Sequence, residues 1–467
     1  MKQGARRATV VEAIQRKINS RALQPGEKLP SIRGFATTMQ VSASTVVEAY
    51  DQLAADGTIY ARRGSGFFVA PIIQPFAVSE VGPQLDRTVD PFWVSRQSLD
   101  ANADTLKPGC GWLPADWMPH SQMRQALRKL ARAEDALLSD YGSTQGALNL
   151  RRLLTRQFID EGLDAGPDQV LLTPSGTQAI DLICRFLLRP GDTVLVDDPC
   201  YFNFQALLRA HQVNLIAVPF TQNGPDTILF EQALIQHKPS LYITNSALHN
   251  PTGATLSPQV AHKVLNLATA HDMVIIEDDI FATFEPTPSP RLVAMDGLER
   301  VIRVGSFSKT LSASVRCGYI AARPDWIEAL VDLQVATNFG GPSPVATELI
   351  YSMLSSGGYR KHMEALRSRL DTSRAEVAVQ LKALGIESWL MPRGGFYLWC
   401  SLPEGVDSAD LARAALVGNM VLAPGNVFSV SQSMTHFMRF NSSQMVDPQV
   451  FGILEKAMDG LSSGASA

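Results

Sequence analysis

Lys309 closes the run Ser306-Phe307-Ser308-Lys309, just beyond the apolar stretch 301–305, and Arg316 follows seven residues later. A lysine in a small-residue loop after a buried strand is placed to act as a nucleophilic amine. Other polar groups stand beyond apolar runs of the same kind. Ser175-Gly176-Thr177 follow 170–173 and run into a helix over 178–188, where free backbone N–H groups make an anion site. Tyr201 follows 194–197, Asn250 lies in the turn Asn250-Pro251-Thr252-Gly253 after 241–244, and Asp278 and Asp279 follow 274–277. Each alone has an ordinary reading: a plain turn, a core tyrosine, a solvated lysine, or an acid pair without the further carboxylates that a metal shell needs. Together they match one ligand, which carries a phosphate, an aromatic ring, a basic ring nitrogen, a phenolic oxygen and an aldehyde awaiting an amine. That ligand is pyridoxal 5′-phosphate.

Such a site needs a scaffold. The apolar runs 170–173, 194–197, 215–218, 241–244, 274–277 and 301–305 alternate with helix-length segments, which predicts an α/β fold with a mostly parallel sheet. Ligands of such folds bind beyond the carboxyl ends of the strands, where all of these groups fall. The chain has 467 residues, is 45% hydrophobic and 18% charged, and has a size for several globular domains. No apolar stretch reaches the ~18 residues of a membrane span, and the amino terminus lacks the apolar region of an export signal. Five scattered cysteines (Cys110, Cys184, Cys200, Cys317, Cys400) fit a reducing cytoplasm and offer neither a disulfide framework nor a metal site.

The net charge of −4 is unevenly spread. Residues 1–70 carry ten Lys/Arg against five Asp/Glu; the rest carry 31 against 40. A small basic head on an acidic body points to a polyanion-binding module. Apolar Val11, Ile14, Ile18 and Leu23 mark a first helix in 8–23. Ser31 is the expected N-cap of a second helix over 32–39, and Ser42 of a third with inner face Val46, Tyr50 and Leu53, ended by Gly57. Two short strands, 58–61 and 67–69, flank Arg62-Arg63-Gly64-Ser65-Gly66. Three helices and a glycine-tipped hairpin make a winged helix-turn-helix. Ser42, Ser44 and Thr45 could reach phosphates or base edges, while Arg33, Arg62 and Arg63 could neutralise phosphates. Double-stranded DNA is the expected partner. Residues 71–105, with four prolines, read as a tether, parts of which dock through Ile72, Ile73, Phe76, Phe92 and Trp93.

The stretch LPSIRGFATTMQVSASTVVEAYDQLAADGTIYARRGSGFFV resembles the DNA-binding domain of GntR-type regulators throughout. From about 106 to 460, the S-x-S-K-x6-R element, the NPTG turn, the acid of E-D-D and the SGT loop resemble fold-type I aminotransferases. The combination, 1–70, a linker over 71–105 and 106–467, resembles the MocR (GabR-like) subfamily of regulators. The resemblance implies that Lys309 forms the Schiff base, Asp278 pairs with the pyridinium nitrogen, Asn250 bonds the ring oxygen and Tyr201 stacks on the ring. It further implies that Ser175, Gly176, Thr177, Ser306, Ser308 and Arg316 hold the phosphate. Tyr141 would cross to the partner subunit's phosphate in a homodimer, and Arg439, in FMRFN, would hold an effector carboxylate. GGFYLW (394–399) and PGNVF (424–428) match neighbouring family elements, while His120, His249 and His436 read as ordinary packed or surface histidines.

One departure bears on function. The family places a tyrosine two or three residues after the acid, and here those positions are Ile280 and Phe281. Loss of that hydroxyl counts against efficient transamination more than against cofactor binding. The expected function is therefore a transcriptional regulator that senses the cofactor, an amino-acid-like compound or both through aldimine chemistry at Lys309. The alternative is a working aminotransferase with an appended DNA-binding head. A third reading, a degenerate body that only dimerises, is weakened by the complete lysine, acid and phosphate set.

Overall fold

Val10, Val11 and Ile14 of the first helix, α1 (Gln3–Asn19), share a small core with α2 (Ile32–Met39) and α3 (Ala43–Ala55). The computed structural model describes residues 3–19, 23, 26–62, 65–70 and 89–464. The caps lie where the sequence places them. The Ser31 side chain accepts from the Gly34 amide and that of Ser42 from the Thr45 amide, while Gly57 takes the positive φ of 71° beyond α3. Val46, Tyr50 and Leu53 are buried, and the Tyr50 hydroxyl donates to the Pro30 carbonyl at 2.9 Å. The hairpin pairs β1 (Ile59–Arg62) with β2 (Gly66–Val69), each one residue from its expected span.

The chain divides into two compact units, Met1–Val81 and Gly82–Ala467. The larger holds a sheet of β3 (Val170–Thr173), β4 (Thr193–Asp198), β5 (Asn214–Thr221), β6 (Gly224–Pro225), β7 (Leu241–Thr244), β8 (Val274–Asp278), β9 (Val301–Ser306) and β10 (Gly318–Ala321). Their spatial order is β3-β10-β9-β8-β7-β4-β5-β6. The run from β9 to β5 is parallel, while β10 is antiparallel to both β9 and β3. β3 therefore points the same way as β9, and the carboxyl ends of β3, β4, β7, β8 and β9 share one edge. Successive residues feed opposite cores, as with Leu172, Leu195 and Ile275 against Leu171, Val194 and Ile276. Burial on both faces explains why these strands read as continuous apolar runs.

A second, antiparallel sheet has the order β11-β12-β14-β13, from β11 (Glu387–Ser388), β12 (Tyr397–Ser401), β13 (Ala423–Pro424) and β14 (Phe437–Asn441). Its core also takes in Trp93 and Val94 of α4 (Pro91–Asp100). Of the expected linker 71–105, residues 71–88 lie outside the described residues, while 91–100 dock through Trp93 as the sequence suggests but do so as a helix, which the sequence reading did not foresee. The Asp90 carboxylate caps the amide of Trp93 at 2.7 Å and Pro91 opens the first turn, a helix-start signal that the surrounding prolines mask in sequence. Among the described residues no helix is long and apolar enough to cross a membrane, and the five cysteines are buried and unpaired.

Candidate functional site

The strand edge opens into a cavity of about 670 Å³. Its walls include Ser175, Gly176, Thr177, Tyr201, Asn250, Asp278, Ser306, Ser308, Lys309, Arg316 and Arg439. The fold thus gathers residues spread over some 260 positions of chain.

At one end Ser175 is the N-cap of the helix Gly176–Leu187, its hydroxyl accepting from the Gln178 amide at 3.1 Å, which leaves the Gly176 and Thr177 amides at the helix start. A β-carbon on Gly176 would lie 3.4 Å from that of Ser306, so glycine keeps the backbone close to the serine loop. The Ser306 hydroxyl donates to that of Ser308 at 3.1 Å. Arg316, exposed and with φ of 53°, makes no ion pair or hydrogen bond among the described residues. An unpaired guanidinium, two hydroxyls and a helix N-terminus are a fit for a phosphate.

In the middle, the acidic run ending β8 divides by strand alternation. Glu277 turns one way and accepts the amides of Leu292 and Val293 at 2.9 and 2.8 Å. Asp279 turns the same way, to Arg291 Nε at 2.9 Å and Arg303 Nη2 at 2.6 Å. Asp278 alone faces the cavity. Burial pushes its carboxyl up to about 7, opposed by the Ile280 amide at 3.2 Å. Such a carboxyl gains by meeting a cation, such as a protonated ring nitrogen. Lys309 Nζ donates to the Gly111 carbonyl at 2.6 Å. Burial, with the charge of Arg439, brings its amine down to about 8, near the range where a lysine acts as a nucleophile at neutral pH.

At the far end Arg439, on the central strand β14, is 1% exposed. It donates from Nη1 to Asn250 Oδ1 at 2.9 Å and from Nη2 to the Gly109 carbonyl at 2.7 Å. The first bond fixes the Asn250 amide so that its NH2 group is left to donate elsewhere. His249, next to Asn250, is buried, 3.3 Å from Asp197 and bonded to Thr252, so it braces this turn as a packed histidine. His120 and His436 are exposed. Phe281 is buried against Tyr397 and lines the cavity with Ile280, and neither offers a hydroxyl.

Tyr141 is not brought to this cavity. It is 83% exposed, edge-on to Phe339, also exposed, at 5.2 Å. Conversely, sequence reasoning missed cavity residues. Tyr397 was legible only as part of GGFYLW, and Gly111 and Trp112 carried no signal in the sequence. Ser95, Ser98 and Leu99 come from α4, which the Asp90-Pro91 pair could have revealed.

In the head, Arg33, Ser42, Ser44 and Arg62 are exposed, with the Ser42 and Ser44 hydroxyls 2.8 Å apart. Arg62 lies over the Phe68 ring at 5.2 Å. Thr45 differs from expectation: it is 3% exposed and its hydroxyl is bonded to that of Ser42 at 2.7 Å, so it supports the cap instead of facing outward. Arg63 lies outside the described residues.

Comparison with known proteins accords with both halves. Residues 6–69 match the gntR family of bacterial regulatory proteins, and residues 114–454 match aminotransferase class I and II. The chain belongs to the HTH-type transcriptional regulators that join a gntR head to an aminotransferase class I and II body. It is 30% identical over 93% of its length, and 94% of the relative's, to the uncharacterized HTH-type transcriptional regulator YdcR of Escherichia coli. To the HTH-type transcriptional regulator NorG of Staphylococcus aureus it is 26% identical over 91% of its length and 98% of NorG. Among solved structures, the α-aminoadipate aminotransferase LysN of Thermus thermophilus, complexed with N-(5′-phosphopyridoxyl)-L-leucine, shares the fold. The TM-score is 0.72 at 23% identity, over 82% of this chain and 98% of that one. The protein is thus a DNA-binding transcriptional regulator whose body takes pyridoxal 5′-phosphate, a cofactor that the cavity's donors fit.

Proposed function

We propose that this regulator reads a small amine through its cofactor and converts that reading into a change of DNA affinity. The observation that carries this is the meeting, in one cavity, of an amine brought down to about 8 at Lys309, a buried acid at Asp278 and a buried guanidinium at Arg439. Pyridoxal phosphate bound there supplies an aldehyde for a primary amine to condense with and a ring that withdraws electrons. In this reading Ser175, Gly176, Thr177, Ser306, Ser308 and Arg316 hold its phosphate, Tyr201 stacks on its ring, Asn250 donates to its ring oxygen and Asp278 faces its nitrogen. Lys309 holds or releases the proton and Arg439 orients an effector carboxylate. The hydroxyl missing at Ile280 and Phe281 favours capture over steady transamination.

The protein acts as a cytoplasmic homodimer in this proposal, with Tyr141 reaching the partner's phosphate, and its exposed pairing with Phe339 is the feature that such an interface would cover. In the head, Arg33, Ser42, Ser44, Arg62 and Arg63 would meet DNA, with the remaining linker joining it to the body. Because α4 lines the cavity and directly follows the linker, it is the element through which occupancy would bias the arrangement of the heads. An effector shifts DNA binding only by favouring one such arrangement.

The test is a titration of the pyridoxal phosphate-loaded protein with an amino-acid panel, following visible absorption and DNA affinity together. A band that shifts, persists and tracks a change in DNA affinity supports the sensor. A band that decays while oxo-acid accumulates would replace it with a working enzyme.

A further inference from the structure

Arg303, the third residue of β9, is 3% exposed, and its guanidinium carbon lies 4.5 Å from the centroid of the Phe158 ring. Val304 pairs with Asp278 in the sheet, so by strand alternation Arg303 turns to the opposite side from Asp278. A guanidinium is costly to bury unless it is paired, and this one meets two carboxylates. Its Nη2 lies 2.6 Å from Asp279 Oδ2 and 2.6 Å from Glu161 Oε2. Glu161 stands just beyond the helix Leu148–Asp160 and is partly open to solvent. Asp279, with its side chain fully buried, is also held by Arg291 Nε at 2.9 Å, and Arg291 Nη2 by Glu285 at 2.7 Å. A row of alternating charges thus runs from the surface to the residue beside Asp278.

This row closes one corner of the sheet. The Asp279 amide donates to the Val304 carbonyl at 2.9 Å, and the Arg303–Asp279 pair joins the same two strand ends through side chains. β8 delivers Asp278 to the cavity, and Lys309 follows three residues after the end of β9. The electrostatics point the same way. Burial raises the Asp278 carboxyl, and the neighbouring Asp279 charge adds to that rise. Arg303 and Arg291 offset the Asp279 charge; with Arg303 gone, part of it would stand uncompensated beside Asp278. We propose that Arg303 is a positioning residue: by pairing with Asp279 it fixes the corner of β8 and β9 and offsets the buried charge there, so that Asp278 meets the cofactor's ring nitrogen as a carboxylate. This rests on the reading of Asp278 given above.

The experiment measures the affinity for pyridoxal phosphate from the visible band near neutral pH, and the melting of the cofactor-free protein. It compares wild type, Asp278→Asn, Arg303→Met, Arg303→Lys and the double variant Arg303→Met/Asp279→Asn. Arg303→Met removes the charge at similar side-chain length and should weaken cofactor binding by about tenfold, the scale on which a neighbouring charge acts on a buried acid. Arg303→Lys keeps the charge and should stay closer to wild type. The double variant also removes the stranded Asp279 charge and should recover most of the lost affinity, a rescue that a purely packing role for Arg303 would not give. Wild-type affinity in Arg303→Met, or a double variant as weak as Arg303→Met, overturns the proposal. Should melting show that Arg303→Met does not fold, Arg303→Lys and the double variant decide: both near wild type supports the proposal, and both about tenfold weaker overturns it. If Asp278→Asn itself binds the cofactor as wild type does, the reading of Asp278 fails, an outcome distinct from failure at Arg303.

Discussion

Two helix starts in this molecule use the same local device and serve opposite surroundings. Ser42 caps α3 and Ser175 caps the helix Gly176–Leu187, each accepting an amide three residues on and each followed within a few positions by a threonine. Ser42 is exposed, whereas Ser175 is 7% exposed at the end of a cavity. On the head, donors face water, so attraction to a polyanion is spread over several residues and screened by salt. In the body, donors face a confined space with less competing water, where a few groups suffice for one phosphate. A serine cap thus makes an anion site possible, while burial decides which anion.

Four perturbations bear on that contrast. The largest effect is expected from Lys309→Ala, which removes the nucleophilic amine: the visible band of the bound cofactor should vanish while DNA binding without effector persists. A persisting band would place the reactive amine elsewhere. Leu53→Ala, in the head's small core, should cost about 2–5 kcal/mol and abolish DNA binding. The body's absorption spectrum should stay unchanged, and a change there would show that the two units do not fold independently.

The third concerns pH. In the cofactor-free protein the Asp278 carboxyl is pushed up from 3.8 to about 7, so the fold loses stability as pH rises through that interval, where only the unfolded chain ionises freely. Asp278→Asn removes that cost, on the order of 4 kcal/mol. Calorimetry should find the cofactor-free variant melting higher than wild type at pH 8 and alike at pH 4, and equal curves at pH 8 would mean an ordinary carboxyl. The smallest effect belongs to the open surface. Arg62→Ala should weaken binding to all DNA sequences alike and reduce the salt slope by about one, measured by anisotropy across salt concentrations. Unchanged slopes would remove Arg62 from the DNA face.

Legibility in sequence follows the same divide. The head's caps at Ser31 and Ser42, the inner face of α3 and Gly57 are local features, since a helix start or stop depends on residues within a turn of it. The six parallel strands were readable because burial on both faces demands unbroken apolar runs. The short strands β11 and β13 and the antiparallel β10 were not, being too brief or too dependent on neighbours to carry a pattern. Helix α4 was hidden by prolines before it, and Thr45 reads as an outward donor until packing turns it toward the core.

The cavity was legible as an inventory and not as an arrangement. Residue types and their order are covalent facts, and they name the lysine, the acid, the amide and the phosphate-holding loop. Which of Asp278 and Asp279 faces the ligand depends on strand alternation together with the pairing of Arg291 and Arg303. That Tyr397 stands against Arg439 depends on the pairing of β12 with β14, and that both meet Gly111 depends on a loop almost 300 positions before Tyr397. Local sequence determines helix caps, buried strands and the supply of reactive groups because short-range hydrogen bonding and hydrophobic burial act within a few residues. Tertiary structure decides distance, burial and charge environment because those are properties of what the chain brings alongside each group.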